Sequence, residues 1–130
     1  MEMNNMLDYL VIAFFAFIGG TARYWLGVWI PAVSGFPLGT LLVNLLGCFI
    51  FSWLVKHILS DIDVSARLVL GVGVGFCGAL TTFSSFALDT MKLVQSDQIG
   101  LAFIYLLLSF FGGLAMTVLG EMIYHRKVTD

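Results

Sequence analysis

The chain has 130 residues, of which 60% are hydrophobic and only 11% are charged, and its formal net charge is −2. In ordinary soluble domains roughly a quarter of the residues are charged, so this composition excludes a soluble protein. The net charge gives no reason to expect a nucleic-acid partner. The apolar runs are long and glycine-rich instead of alternating in segments of about ten residues, which excludes a transmembrane barrel. A lipid bilayer is the expected surrounding, either a plasma membrane or a cell inner membrane.

Four apolar stretches have the length needed to cross a bilayer as helices. A hydrocarbon core about 30 Å thick requires about 20 mainly apolar residues, and the stretches cover 7–30, 38–59, 66–94 and 99–124. Because the connections are short, consecutive helices are expected to be antiparallel neighbours. We therefore predict one all-α, four-span membrane domain over 1–130, whose first stretch is too long to be a cleaved signal peptide. Such a small bundle hardly encloses a pathway alone, which favours an oligomer.

The positive charges give little indication of how the bundle is oriented. Cytoplasmic ends of membrane helices normally carry an excess of Lys and Arg. One face carries Lys56, Arg67, Arg126 and Lys127, and the opposite face carries Arg23 and Lys92. Two interpretations stay open: a single topology with both termini inside, or insertion in both orientations.

Polar residues inside the first two stretches are candidates for function, because burying an unpartnered polar group in hydrocarbon is costly. Arg23 lies beyond the middle of the first stretch and suits either an anchor or a group that attracts ions. Thr40, Asn44 and Gly47 share one helix face in the second stretch. This stripe suits helix packing. It also suits a dehydrating anion, because an asparagine amide has two uncharged N–H donors.

The third stretch is the least regular of the four. Glycines at 71, 73, 75 and 78 precede the run Thr81-Thr82-Phe83-Ser84-Ser85-Phe86. Glycine disfavours a helix, and clustered hydroxyls compete with helical pairing, so we expect a break near Gly78 to Thr82. Broken backbone at membrane depth persists only if it is buried in protein or lines a wet cavity, where its carbonyls can bind a cation.

Two further rows of side chains have both a structural and a functional interpretation. Phe83 and Phe86 are three residues apart after the expected break, so they suit core or lipid contact, or an anion that faces the positive ring edges. In the fourth stretch a row recurs every four residues, at Tyr105, Ser109, Gly113 and Thr117. This row suits either packing of small residues or a track of hydroxyl donors.

Patterns typical of enzymes and of common metal sites do not occur in the sequence. Cys48 and Cys77 lie inside apolar stretches without a CxxC spacing or a neighbouring histidine. They are expected to be small buried hydrophobic residues. No nucleophile–base pair and no zinc, haem or phosphate pattern is found, so we do not expect an enzyme.

Three segments together are specific for one family. They are GGTARY at 19–24, PLGTLLVN at 37–44 and GFCGALTTFSSF at 75–86. With the length and the order of the spans, the patterns GTLxVNxxG and GxxGxxTTFSxF closely resemble the Fluc (CrcB) family of small fluoride channels.

The resemblance implies a passive, fluoride-selective channel that exports cytoplasmic fluoride and confers fluoride resistance. It implies a dual-topology homodimer of antiparallel subunits with two pathways. A central structural sodium ion would be held by backbone carbonyls that match Gly78 and Thr81. The matching pathway residues are Asn44, Phe83, Phe86, Tyr105, Ser109 and Thr117, with Thr40 at the vestibule. Arg23 matches a first-helix arginine, and Gly113 stands where some relatives have a hydroxyl.

Two other classes of function stay open on the sequence. A small four-helix, proton-coupled exporter requires a carboxylate within the first span. The only acid of that stretch, Asp8, lies at its start and the interior charge is Arg23, which leaves Asp89 in the third stretch. A non-transporting assembly subunit suits the small-residue rows but leaves Asn44 and the TTFSSF segment unexplained.

Overall fold

The computed structural model describes the backbone of residues 2–61 and 66–129, with side chains at 5–54, 57 and 66–123. The helices are α1 (Glu2–Trp29), α2 (Leu38–Asp61), α3 (Ala66–Leu70), a π-helical segment (Gly71–Cys77), α4 (Gly78–Leu80), α5 (Phe83–Gln95) and α6 (Ile99–Thr129). Over these described residues the protein is all-helical apart from one isolated bridge, between Val33 and Phe36.

The helices have the length and composition of a membrane protein. Among the described residues, Asn5–Trp29, Ala66–Gln95 and Ile99–Ile123 are long and apolar enough to cross a bilayer, and the apolar segment Leu38–Leu54 of α2 is shorter. Large side chains such as Phe17 are exposed on the outer faces, where lipid accommodates them and water would not. These helices confirm the prediction of a multi-pass membrane protein. The boundaries of the four-span domain stay a prediction.

Glycines bring the helices into close contact. A side chain at Gly19 of α1 would collide with the backbone carbonyl of Phe76. One at Gly75 would lie 2.6 Å from a carbonyl of α1, and one at Gly120 of α6 would lie 2.9 Å from the Phe49 carbonyl of α2. Small residues permit this approach, on which helix association in lipid depends. The glycines at 71, 73 and 75 are buried in the π-helical segment, where they allow close helix packing. The break in the helix lies after them in the sequence.

The third membrane helix, called the third helix below, consists of α3, the π-helical segment, α4 and α5. It breaks at Thr81 and Thr82, inside the predicted window. Thr81 has φ −84° and ψ 155°, and Thr82 has φ −150° and ψ 116°. The Thr82 hydroxyl accepts a hydrogen bond from the Ser85 N–H at 3.1 Å and thereby caps α5. The Thr81 hydroxyl donates to the Cys77 carbonyl at 2.8 Å. The hydroxyls therefore satisfy backbone groups on both sides of the break.

A small buried core lies where α2, α5 and α6 meet. It is formed by Leu41, Leu93, Ala102 and Tyr105, and Phe86 packs against it. This core fixes the first turns of α6 against the helix that follows the break.

Candidate functional site

The side chain of Asn44 holds the break in the third helix. Its Nδ2 donates to the Thr82 carbonyl at 3.2 Å, and its Oδ1 accepts from the Thr82 N–H at 2.8 Å. Because the backbone N–H is a donor, it fixes which end of the amide is the oxygen. From the sequence, Asn44 suits either helix packing or an anion that accepts from its two N–H donors. The structure uses one of them for Thr82, and the second has no partner among the described residues.

The same hydrogen bonds release two backbone carbonyls from helical pairing. In an α-helix each N–H donates to the carbonyl four residues earlier. The Thr82 N–H would pair with Gly78 but donates to Asn44, and the Ser85 N–H would pair with Thr81 but donates to Thr82 Oγ1. The carbonyls freed by this exchange belong to Gly78 and Thr81, the residues expected to bind sodium.

Gly78 and Thr81 also line one cavity, which has a volume of about 300 Å³. Gly78 is exposed, and a side chain at this position would meet nothing within 4 Å. Carbonyl oxygens are the ligands that hard cations prefer, and broken membrane helices supply them. The residues therefore fit a sodium ion, although the backbone of one chain offers only part of a coordination shell.

A second and larger open cavity, about 810 Å³, brings together four of the predicted pathway residues. Asn44, Phe83, Phe86 and Ser109 all line it, together with Thr82. The rest of its lining is mainly apolar, with side chains from α6 such as leucines and phenylalanines. An apolar cavity with a few convergent neutral donors is typical of a binding site for a small ligand.

An aromatic row leads from the exposed edge of this cavity into the core. Phe83 is 80% exposed, and its ring centroid lies 5.7 Å from that of Phe86. The Phe86 ring lies 5.1 Å from Tyr105, and Tyr105 meets Phe36 edge to face at 5.6 Å. The helical spacing of three residues predicts that Phe83 and Phe86 share a face, and the structure agrees.

The row of small and hydroxyl residues on α6 divides into two parts. Tyr105 is fully buried, and neither its hydroxyl nor Ser109 Oγ has a hydrogen-bond partner within the described part of the chain. Thr117 instead lines the smaller cavity beside Gly78, and its hydroxyl donates to the Gly113 carbonyl at 2.9 Å. The structure therefore does not bring Thr117 to the cavity that contains Phe83.

Asp89 lies beside Tyr105, and sequence reasoning considered it only for a rival function. Its Oδ2 is buried without a partner among the described residues. The Tyr105 side chain lies near Asp89 and the Thr40 hydroxyl. Its own hydroxyl forms no hydrogen bond with either of them. A carboxylate three residues after Phe86 within an apolar span is itself a signal of function, and it was available in the sequence.

A third cavity, about 380 Å³, contains the two remaining predicted residues. Arg23 and Thr40 both line it, with Thr82 and Ser85 at the break. Thr82 also lines the cavity that contains Phe83. Arg23 thus lies in a cavity adjacent to the one that contains the neutral donors.

Known proteins of similar sequence show which family the chain belongs to. Residues 10–121 match the family described as CrcB-like protein, Camphor Resistance (CrcB). The chain is 39% identical over 130 residues to Fluoride-specific ion channel FluC 1 of Bacillus cereus (strain ATCC 10987 / NRS 248), covering 95% of each chain. It is 42% identical over 118 residues to Fluoride-specific ion channel FluC 2 of Listeria monocytogenes serovar 1/2a, covering 91% of each. It is 48% identical over 101 residues to Fluoride-specific ion channel FluC 2 of Streptococcus pneumoniae serotype 4, covering 78% of this chain and 82% of the relative. The chain therefore belongs to the CrcB family.

Proposed function

We propose that the protein is a fluoride-selective ion channel that lets cytoplasmic fluoride leave the cell passively and thereby confers fluoride resistance. The relatives reported above are named fluoride-specific ion channels. The observation that carries the proposal is the single cavity lined by Asn44, Phe83, Phe86 and Ser109. The channel lies in the plasma membrane or cell inner membrane.

The lining of the cavity suits a small, strongly hydrated anion. Fluoride enters an apolar site only if other hydrogen-bond donors replace its water. The second N–H of Asn44 and the hydroxyl of Ser109 are such donors, and the ring edges of Phe83 and Phe86 add weak positive potential. All of these groups are neutral, so binding is strong enough for entry and weak enough for release.

Arg23 and Tyr105 serve the ends of the pathway. Arg23, in the adjacent cavity, attracts anions to the entrance without trapping them among the neutral donors. The Tyr105 hydroxyl is a further donor. Thr117 lines the smaller cavity and joins the pathway only where the assembled dimer connects the two cavities. Thr40 lines the vestibule beside Arg23.

The working channel is a homodimer of antiparallel subunits with two pathways. The thin excess of positive charge on one face permits insertion in both orientations. A structural sodium ion between the subunits would bind the carbonyls of Gly78 and Thr81 from each copy and stabilise the broken helices. Light scattering of the purified protein is expected to give twice the 14.3 kDa chain mass, and a conducting monomer would refute the dimer.

Fluoride efflux from proteoliposomes, recorded with a fluoride electrode, tests the pathway. Phe83→Ile keeps an apolar side chain but removes the aromatic edge, and Asn44→Asp introduces a negative charge. Each is expected to slow efflux at least about tenfold, which corresponds to about 1.4 kcal/mol. Phe103→Ile is the matched control, because Phe103 is exposed on α6 outside the three cavities. Unchanged rates in both pathway variants would show that the pathway is wrong.

The buried carboxylate of Asp89 favours one alternative, a proton-coupled exporter. In that case the protein would release protons when a cationic drug binds, and Asp89→Asn would abolish the release. A fluoride channel predicts no drug-dependent proton release. A non-transporting assembly subunit, the other alternative, predicts that the pure protein conducts no ion.

A further inference from the structure

The two cysteines of the chain meet at one cavity. Cys48 lies in α2 and is half-buried, and Cys77 lies in the π-helical segment and is buried. Both line the cavity of about 300 Å³ that also contains Gly78 and Thr81. Neither cysteine forms a disulfide. Their positions in the sequence give no indication that they share a cavity.

Thr81 explains why the cysteines come together. Gly47, which precedes Cys48, approaches Thr81 so closely that any side chain at position 47 would collide with the Thr81 methyl group. The Thr81 hydroxyl and N–H both donate to the Cys77 carbonyl, at 2.8 and 3.0 Å. Thr81 thus lies against the residue before Cys48 and is bonded to the backbone of Cys77, so the packing of α2 on the break brings both cysteines to one cavity.

We infer that Cys48 and Cys77 together form a site for a soft, thiophilic monovalent cation of the Cu(I) or Ag(I) type. Sulfur ligands select such ions over hard ones, and a linear two-sulfur geometry satisfies them. Because the surroundings are apolar, the neutral complex of one thiolate, one thiol and one cation is favoured. Binding of each cation therefore releases one proton to the solution. The site is distinct in chemistry from the carbonyls of Gly78 and Thr81, which suit a hard cation.

Occupancy of this site affects conduction, a consequence that rests on the proposed function. Cys48 and Thr81 also line the larger cavity that contains Phe83 and Phe86. The complex is neutral, but a bound cation and its fixed thiolate occupy space in the wall of that cavity, so that fluoride passes more slowly. Soft cations are therefore expected to inhibit the channel.

Titration with silver nitrate in chloride-free buffer tests the site on the purified protein. Silver–thiolate absorbance is expected to saturate at one silver ion per chain, with one proton released per ion and both cysteines protected from maleimide. Cys48→Ser and Cys77→Ser are each expected to weaken binding at least about 100-fold, the gain that two linked ligands typically provide. Saturation at two silver ions per chain would overturn the site. So would a single variant that retains the wild-type affinity.

Fluoride efflux in the same buffer tests the consequence for conduction. Silver is expected to slow efflux through the wild-type protein and to leave the Cys48→Ser/Cys77→Ser double variant unaffected, each measured relative to its own silver-free rate. Equal inhibition of the double variant would overturn the link to these cysteines. If the wild-type protein conducts no fluoride, the proposed function fails, and the silver titration still decides the site.

Discussion

Asn44 and Thr82 form a pair of hydrogen bonds, side chain to backbone, that joins α2 to the break in the third helix. The amide accepts from the Thr82 N–H and donates to the Thr82 carbonyl. One side chain thereby replaces the helical partners that Thr82 loses, and its action leaves the Gly78 carbonyl without its helical donor. The proposed anion pathway and the proposed sodium site are thus connected through a single residue.

Asn44→Ala is expected to abolish the effect of sodium on stability. Without its acceptor, the Thr82 N–H is left unpaired, at a cost of about 1–3 kcal/mol, or it returns to the Gly78 carbonyl and closes the cation site. Asn44→Asp retains an acceptor for this N–H and is the matched variant. Thermal unfolding in sodium and in N-methylglucamine buffers measures the difference. A sodium-dependent rise in Tm that persists in Asn44→Ala would contradict the coupling.

Thr82→Val is expected to destabilise the protein, because it removes the hydroxyl that accepts from the Ser85 N–H and keeps the shape of the side chain. Loss of such a cap costs about 1 kcal/mol. Thr82→Ser retains the hydroxyl and is expected to behave like the wild type. Unfolding in mixed detergent micelles gives both free energies. Equal values for Val and Ser at this position would exclude a capping role.

Gly19→Ala is expected to destabilise the protein more than Gly20→Ala. A methyl group at Gly19 collides with the Phe76 carbonyl, a backbone atom that cannot move away alone, whereas a methyl group at Gly20 meets nothing within 4 Å. Overpacking of this kind costs about 1–3 kcal/mol, while Gly20→Ala gains up to about 1 kcal/mol of helix propensity. The free energies of unfolding of the Gly19→Ala and Gly20→Ala variants are compared with each other. Equal free energies for the two variants would refute the close approach of α1 to Phe76.

Tyr105→Phe is expected to slow fluoride efflux without destabilising the fold. The Tyr105 hydroxyl is buried and has no hydrogen-bond partner among the described residues, so its removal breaks no bond in the folded chain. If it donates to a passing anion, the loss of about 1 kcal/mol slows efflux about fivefold. Tyr9→Phe, on the exposed side of α1, is the control. A lower Tm with an unchanged flux would assign Tyr105 a structural role instead.

The sequence predicts those features that depend on local spacing. The break within Gly78 to Thr82 follows from glycines and clustered hydroxyls, and the common face of Phe83 and Phe86 follows from helical periodicity. Both are visible without knowing how the helices pack, because each depends on residues within one or two turns.

Features that depend on helix packing could not be predicted. The spacing of four residues on α6 predicts one row that drifts slowly around a helix of 3.6 residues per turn, but it does not predict that Thr117 lines a different cavity from Ser109. The partner of Asn44 is 38 positions away, and the cavity that Cys48 and Cys77 share depends on how closely α2 approaches the break. No local pattern encodes such distances.

The most direct measurement of the proposed function compares fluoride with chloride efflux from proteoliposomes containing the purified wild-type protein. A channel with small neutral donors and no fixed charge among them is expected to release fluoride rapidly and to pass chloride at the background rate of protein-free liposomes. Equal efflux of the two halides would contradict selectivity, and fluoride efflux no faster than from protein-free liposomes would contradict the channel itself.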